Sequence, residues 1–221
     1  MSAVARVESS SAPSVVPARL AIAAAAATLG LLSSLHVLSP ELDPTWRMVS
    51  EYAYGRFGWV LSLMFLAWAL ASWALAVALR ARVVTRRAQI GWAFLVLAGA
   101  GQAMASVFDV QHPLHSLAAL IGIPSLPIAA LLITGPMARE RAALRWAAHS
   151  TWVSVVLLAV AFALLITTFV QAGGDVSAEP DTVTTLPQGV IAVVGLANRA
   201  LVVAYCAWVA MIAWHVAPRA S

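Results

Sequence analysis

Six long apolar stretches separated by short polar connections constrain this chain more than any other feature of its sequence. Each is long enough to cross the roughly 30 Å hydrocarbon core of a bilayer as a helix. Hydrophobic residues make up 62% of the chain and charged residues only 10%, whereas soluble domains are roughly half apolar. We therefore predict an all-α integral membrane bundle. The approximate bounds of the six predicted transmembrane helices are 18–38, 58–79, 90–108, 113–135, 149–170 and 188–216.

The two ends of the chain lack this apolar pattern. Residues 1–17 are rich in Ser, Ala and Pro, which predicts a disordered tail, and residues 217–221 form a short C-terminal tail. Arg19 followed by an apolar core is also typical of a secretory signal peptide. Because no convincing cleavage site follows and the apolar stretch continues to Leu38, we expect it to remain as the first helix. The domain then spans residues 18–216.

The basic residues, all of them arginine, are distributed unevenly among the connections. The first, third and fifth connections hold two arginines and seven acidic residues. Short arginine-rich connections stay in the cytoplasm, so we predict a multi-pass protein of the plasma (inner) membrane with both termini cytoplasmic. Because these charges follow membrane topology, no nucleic-acid partner is expected. The arginines of the second and fourth connections are Arg80, Arg82, Arg86, Arg87, Arg139, Arg141 and Arg145.

Two patterns predict how particular helices pack. Pro124 and Pro127 lie within the fourth apolar stretch, so that helix should bend, and neighbouring helices must satisfy the carbonyls that the prolines free. Small residues in the third stretch predict a close approach to neighbouring helices. These small residues are Gly91, Gly99, Gly101 and Ala105.

A polar corner at residues 108–116 joins the third and fourth helices on the predicted extracytoplasmic side. Helical rise from the inner end of the third helix places Asp109 at the outer membrane boundary, with Gln102 on the same face. His112 is expected to cap the fourth helix, and His115 to lie in its first turn. The helix dipole there disfavours imidazolium, so a neutral His115 could accept a proton or bind a metal.

Arg199 is the costliest residue in the chain to leave unpaired, because it lies within the last apolar stretch. Helical rise places it about one turn below the outer boundary. Asp109 is the acid at the adjoining end of a spanning helix, so we predict that Arg199 pairs with Asp109. Glu51 or His115 would complete this site. Two further residues, His36 and Ser39, lie one turn apart near the outer end of the first helix and are expected to face the same space.

The connection after the first helix carries a turn signal followed by an interfacial segment. Asp43-Pro44 is typical of a helix N-cap with Pro at the first helical position. A short surface helix over residues 44–54 is therefore predicted. Trp46 and Tyr52 within it suit the headgroup boundary.

Residues 38–44 and 49–55, then Asp109 with His115, then Arg199, resemble the prokaryotic membrane family catalogued as domain of unknown function 998. The resemblance covers about residues 18–216 and implies a six-helix membrane domain, but no assigned reaction. It supports the choice of ligand-binding candidates, which are Ser50, Glu51, Tyr52, Asp109, His115 and Arg199. Secondary candidates are His36, Gln102, His112 and Asn198.

Three functions remain open from the sequence. The first is binding or transport of a lipid headgroup or small polar solute, with Arg199 taking an anionic group. The second is a membrane-embedded hydrolase in which Asp109, His112 and His115 hold zinc and Ser50 or water is the nucleophile. The third is a structural or assembly role. No cofactor is expected for the first or the third function. The second function would need a metal, for which zinc is the candidate. Membrane lipid is the expected partner, and the sequence does not indicate an oligomeric state.

Overall fold

The structure, a computed structural model, describes residues 15–137, 141–176 and 183–217. Within these ranges it is all-α, with six helices that are long and apolar enough to cross a membrane. The predicted six-helix membrane architecture is therefore confirmed. Of the predicted tails, residues 1–14 and 218–221 lie outside the described ranges. The helices are α1 (Val15–Leu38), α2 (Gly58–Leu79), α3 (Arg86–Val107), α4 (Pro113–Met137), α5 (Ala142–Gln171) and α6 (Val194–Val216).

Each helix packs against the next along the chain, and α6 returns to contact α1 and α2. The helices therefore close into a ring. The side of α6 that faces the other helices is buried along its length, with Leu201, Tyr205 and Trp208 among the most enclosed side chains. In contrast, α5 exposes large apolar side chains such as Leu157 and Phe162, as expected for a helix that faces lipid.

The predicted close packing of the third helix is confirmed. A Cβ atom added to Gly101 would lie 2.5 Å from the backbone nitrogen of Gly122, so the backbones of α3 and α4 are in direct contact there. A Cβ atom on Gly99 would lie 2.4 Å from the Trp73 indole nitrogen of α2. Glycine at these positions lets α3 fit between its two neighbours.

The α4 helix continues through Pro124 and Pro127. Pro127 has no N–H, so the carbonyl of Ile123 one turn earlier loses its helical partner. The Tyr205 hydroxyl of α6 donates to this carbonyl at 2.5 Å. The prediction that a neighbouring helix satisfies a freed carbonyl is therefore confirmed at Pro127.

The α5 helix begins at Ala142, seven residues before the predicted start at 149. Residues 142–148 are mostly alanine and leucine, which favour helix. Arg145 does not stop the helix, because an arginine side chain can extend from it into the headgroup layer. The sequence-based start was wrong because it assigned Arg145 to the basic connection before the helix.

The α6 helix begins at Val194, six residues after the predicted start at 188. Gly189 has a positive φ of 86°, outside the helical range. The Ile191 N–H donates to the Thr168 hydroxyl of α5 at 3.0 Å instead of to a helical carbonyl. Residues 188–193 therefore form an irregular segment against α5.

The two ends of the bundle carry opposite charge patterns. The connections at one end, called here the acidic end, comprise residues 39–57, residues 108–112 and the described parts of the connection after α5, 172–176 and 183–193. The opposite or arginine end contains the short 3-10 segment Arg80–Arg82 and the starts of α3 and α5. Every acidic residue within the described ranges lies at the acidic end.

Candidate functional site

The connection after α1 folds back onto the start of α6. The Gly195 N–H donates to the Thr45 carbonyl at 2.9 Å, and the Val49 N–H donates to Asn198 Oδ1 at 2.8 Å. A Cβ atom at Gly195 would lie 2.5 Å from the Pro44 carbonyl oxygen, so only glycine permits this approach. The contacts bring the connection over the end of the ring.

The predicted surface helix over residues 44–54 is wrong in length and in position. Only Val49–Tyr54 is helical, as a short 3-10 helix. Its Val49, Glu51 and Tyr52 side chains are buried instead of lying at the surface. The contacts with α6 explain the difference, because they pull this segment into the bundle.

Arg199 lies at the centre of the buried polar contacts at the acidic end and is only 9% exposed. Its Nε donates to His36 Nε2 at 2.8 Å, and one terminal nitrogen donates to the carbonyls of Arg47 and Gly195 at 2.7 and 2.9 Å. The other terminal nitrogen donates to the Tyr52 hydroxyl at 2.9 Å. Arg199 thereby links α1, the connection after it and α6.

The partners of His36 define its protonation. Its Nδ1 lies 2.7 Å from the Leu32 carbonyl, which can only accept, and its Nε2 faces the Arg199 N–H, which can only donate. His36 is therefore neutral, with its proton on Nδ1. A proton on Nε2 would oppose the Arg199 donor.

Glu51 pairs with Arg47, not with Arg199. Its carboxylate lies 2.9 Å from the Arg47 guanidinium and also accepts the Met48 N–H at 2.5 Å. Arg47 further donates to the Val183 carbonyl and lies over the Trp46 ring. We call the connected residues His36, Arg47, Glu51, Tyr52 and Arg199 the Arg199 cluster.

The predicted ion pair between Arg199 and Asp109 is wrong. Asp109 is exposed at the corner between α3 and α4, where its carboxylate accepts the Gln111 N–H at 3.1 Å. Arg199 is satisfied by neutral acceptors from the connection after α1 and from its own helix. Depth along the helices placed the two residues at a similar level, but their directions around the ring differ.

A pocket of about 300 Å³ lies beside the Arg199 cluster. It extends from the rim at the acidic end, formed partly by Ser50 and Ser116, to Trp68 and Tyr205 near the middle of their helices. The volume is at the lower end of the roughly 300–1,000 Å³ typical of small-molecule sites. The lining residues are Met48, Val49, Ser50, Phe65, Trp68, Gly101, Gln102, Ala105, Val110, His115, Ser116, Ala118, Ala119, Gly122, Ile123, Leu158, Asn198, Leu201, Val202 and Tyr205.

The deep polar groups of the pocket are already bonded to protein. The Tyr205 hydroxyl donates to Ile123, and the Gln102 amide lies 2.8 Å from the Ser72 hydroxyl. With its amide oriented to suit both neighbours, Gln102 also donates to the Trp68 carbonyl at 3.1 Å. The deep part therefore offers mainly apolar and aromatic surface.

The rim of the pocket retains hydrogen-bonding capacity. Within the described part of the chain, no protein group bonds to the Ser50 or Ser116 hydroxyl. Asn198 uses its carbonyl oxygen on Val49, which leaves its NH₂ group. His115 Nδ1 contacts the Phe108 carbonyl at 2.8 Å, so its Nε2 remains as an acceptor. The free groups are therefore concentrated at one end of the pocket.

The predicted metal ligands do not form a site in this arrangement. Of all His, Cys, Asp and Glu residues that the structure describes, no three lie together as metal ligands would. His112 is exposed, and its Nδ1 accepts the Leu114 N–H at 3.1 Å, which confirms its predicted capping position before α4. His115 lines the pocket while Asp109 does not. No serine hydrogen-bonds to His115 among the described residues, so no activated nucleophile accompanies it.

Four of the ten candidate residues from the sequence line the pocket: Ser50, Gln102, His115 and Asn198. Four others form the Arg199 cluster together with Arg47. Asp109 and His112 belong to neither group. The aromatic lining residues Phe65, Trp68 and Tyr205 were missed, because a buried aromatic residue in an apolar helix resembles ordinary core in sequence.

These features define a multi-pass helical membrane protein whose acidic end is closed by a buried arginine cluster beside a mainly apolar pocket. Residues 21–215 match the family described as protein of unknown function DUF998, and the chain belongs to this family. The resemblance found in the sequence is thus confirmed. No curated protein and no solved structure matches the chain.

Proposed function

We propose that the pocket binds an amphiphilic molecule whose uncharged polar head lies at the rim and whose apolar part lies deeper, between α3, α4 and α6. The observation that carries this proposal is the one-sided distribution of hydrogen-bonding capacity. Free hydroxyl, amide and imidazole groups lie at the rim, whereas the deep polar groups are bonded to protein. A ligand with a polar end and an apolar end matches both regions.

A wholly polar solute matches the pocket less well. Below the rim it would contact Phe65, Trp68 and Leu201 and would exchange water for apolar surface. An uncompensated polar group in such surroundings costs several kcal/mol. An apolar chain gains free energy on the same transfer, at roughly 25 cal/mol per Å² of buried surface. These opposite signs favour an amphiphile.

An uncharged head follows from the position of Arg199. The expectation from the sequence was that Arg199 would bind an anionic group. Arg199 does not line the pocket, and its donors serve the Arg199 cluster. The rim residues Ser50, Asn198 and Ser116 are neutral. The head group best suited to them carries hydroxyl or amide groups.

Filling the pocket tests the proposal. Ala105 lines the pocket on α3, and Ala93 is exposed on the same helix. Ala105→Phe should abolish binding of an amphiphile that co-purifies with the wild-type protein, whereas Ala93→Phe should retain it. Native mass spectrometry in a mild non-ionic detergent measures the bound mass, and lipid extraction identifies it. Thermal unfolding of both variants checks that they are folded.

Two results would overturn the proposal. The first is wild-type protein without bound amphiphile, even after incubation with a total lipid extract of the expression host. The second is the same bound mass in folded Ala105→Phe as in wild type, because a ligand in the pocket must overlap the added ring.

The orientation of the bundle is a further part of the proposed function. The arginine distribution supports both termini in the cytoplasm of a plasma-membrane protein, with the pocket rim outside. Cysteines replacing exposed Arg86 and Thr184 test this in a Cys206→Ala background. An impermeant thiol reagent should label Thr184→Cys in intact cells and Arg86→Cys only after lysis. Labelling of Arg86→Cys in intact cells and of Thr184→Cys only after lysis would show that the bundle has the opposite orientation.

A further inference from the structure

A second groove lies at the arginine end, far from the pocket at the acidic end. It has a volume of about 450 Å³ and runs between α3, α4 and α5. Its lining residues are Arg87, Leu131, Thr134, Gly135, Arg145, Ala148 and His149. None of them belongs to the Arg199 cluster or lines the first pocket. We infer that this groove binds the phosphate of an anionic phospholipid.

Three hydrogen-bond donors converge on the groove. The Arg87 guanidinium of α3 crosses to α4 and donates to the Leu131 carbonyl at 3.2 Å, which holds its charge over the groove. Arg145 lies in the first turns of α5, and His149 follows it by one turn on the same face. His149 Nδ1 accepts the Trp152 indole N–H at 2.9 Å, so a neutral His149 carries its proton on Nε2 and can donate.

The Arg87 guanidinium packs closely against the backbone of α4 at the groove. Gly135 lies directly beneath Arg87, and a Cβ atom there would come within 2.9 Å of its terminal nitrogen. Ala148, another small residue, lines the groove on α5. Guanidinium groups above small residues suit a phosphate, because arginine donates two parallel hydrogen bonds to it.

Local charge favours an anion and disfavours a cation. Among the described residues, the arginine end holds no acidic side chain. Glu140, in the connection outside the described ranges, is flanked in sequence by Arg139 and Arg141, so that connection is also net positive. Basic grooves between transmembrane helices on the cytoplasmic side are typical sites for anionic lipid headgroups.

The surroundings favour a lipid over a soluble phosphate. Exposed Trp146 and Trp214 place this level of the bundle at a headgroup interface. One turn deeper along their helices than the groove residues Leu131 and His149 lie exposed Ile128 of α4 and exposed Trp152 of α5. A phospholipid bound through its phosphate would therefore lay its acyl chains on an apolar surface. Inorganic phosphate would gain nothing from that surface.

The test uses the full-length protein in non-ionic detergent, titrated with phosphatidylglycerol or phosphatidylcholine and followed by native mass spectrometry. Arg87→Gln/Arg145→Gln should weaken phosphatidylglycerol binding roughly 30-fold, and Arg145→Gln alone about fivefold. Arg80→Gln/Arg86→Gln removes the same charge from exposed residues outside the groove. This control should weaken binding less than about threefold, because salt screens distant charges.

Three outcomes would overturn the inference. Equal weakening in the groove pair and the control pair would indicate diffuse attraction by the whole arginine end. Equal binding of both lipids to the wild type would show that the net negative charge of the lipid is not recognised. Inorganic phosphate binding as tightly as phosphatidylglycerol would exclude the lipid as the specific ligand. Arg145→Gln keeps the Arg87 contact with Leu131, so its effect does not depend on any loss of that bond.

Discussion

The Arg199 cluster and the pocket beside it use polar groups in opposite ways. In the cluster, the charge of Arg199 is distributed over His36, Tyr52 and two carbonyls, and Glu51 is neutralised by Arg47. At the pocket rim, hydroxyl and amide groups are left without protein partners in the described chain. Neighbouring residues of α6 separate the two regions, because Arg199 belongs to the cluster and Asn198 lines the pocket.

The comparison separates two consequences of burying polar groups in a membrane protein. Groups that bond to each other stabilise one arrangement, and removing one leaves its partners unsatisfied. Groups that lack protein partners add little stability but remain available to a ligand. The cluster should therefore control folding, and the rim should control binding.

The largest effect is expected at Arg199. Arg199→Met keeps apolar volume but leaves His36, Tyr52 and the Arg47 carbonyl without the Arg199 donor. The expected loss of stability is roughly 3 kcal/mol or more, measured by thermal or denaturant unfolding in detergent. Exposed Arg86→Met is the matched control and should change stability little. Adding Asp109→Leu should not restore Arg199→Met, and full rescue would contradict the observed partners.

An intermediate effect is expected at Glu51. In Glu51, the two carboxylate oxygens accept from Arg47 and Met48. Glu51→Gln replaces one of these oxygens with an NH₂ group, which is a donor and cannot accept from either residue. The cost should be about 2 kcal/mol, because a hydrogen bond to a buried charge is lost. Exposed Glu41→Gln makes the same chemical change outside the cluster. Equal unfolding temperatures for the two variants would argue against a structural role for Glu51.

A smaller effect, on binding alone, is expected at the rim. Ser50→Ala removes a hydroxyl that has no protein partner in the described chain. Stability should change by less than about 0.5 kcal/mol, and affinity for the amphiphile should fall about twofold to tenfold. Ser33→Ala, on the exposed side of α1, should change neither. A Ser50→Ala variant that unfolds as readily as Arg199→Met would remove the distinction between cluster and rim.

The smallest effect is expected at Asp109. Its carboxylate is exposed and bonds only within its own turn, to the Gln111 N–H. Asp109→Asn keeps an acceptor for that bond, so unfolding temperature and amphiphile binding should both match the wild type. A marked loss of stability or of binding would show that Asp109, at the corner between α3 and α4, belongs to the functional site.

Much of the fold could be predicted from the sequence because it depends on local chain properties. The α2 helix begins and ends where predicted, at Gly58 and Leu79, since a bilayer requires apolar length and internally bonded backbone. Single residues determine two further features: a glycine without a side chain permits the close approach of α3 at Gly101, and a proline without an N–H frees the carbonyl of Ile123.

The site was predicted only in part because depth along a helix does not determine direction around it. Helical rise placed Arg199 near the end of the bundle where His36 ends the first helix, and the position of the first connection placed Glu51 and Tyr52 at the same end. Helical rise could not distinguish Asp109 from the connection after α1 as the partner of Arg199. The choice of Asp109 also assumed that a buried charge needs an opposite charge, whereas neutral acceptors suffice here.

The sequence by itself thus determined the number of spans, the charge difference between the two ends and the identity of the costly residues, because these depend on composition and spacing. The tertiary structure alone decided that Arg199 serves the fold and that a pocket opens beside it. Both outcomes depend on how the Val49–Tyr54 segment docks on α6 and on which small residues of α3 and α4 meet. Such contacts join residues far apart in the chain, and no local pattern encodes them.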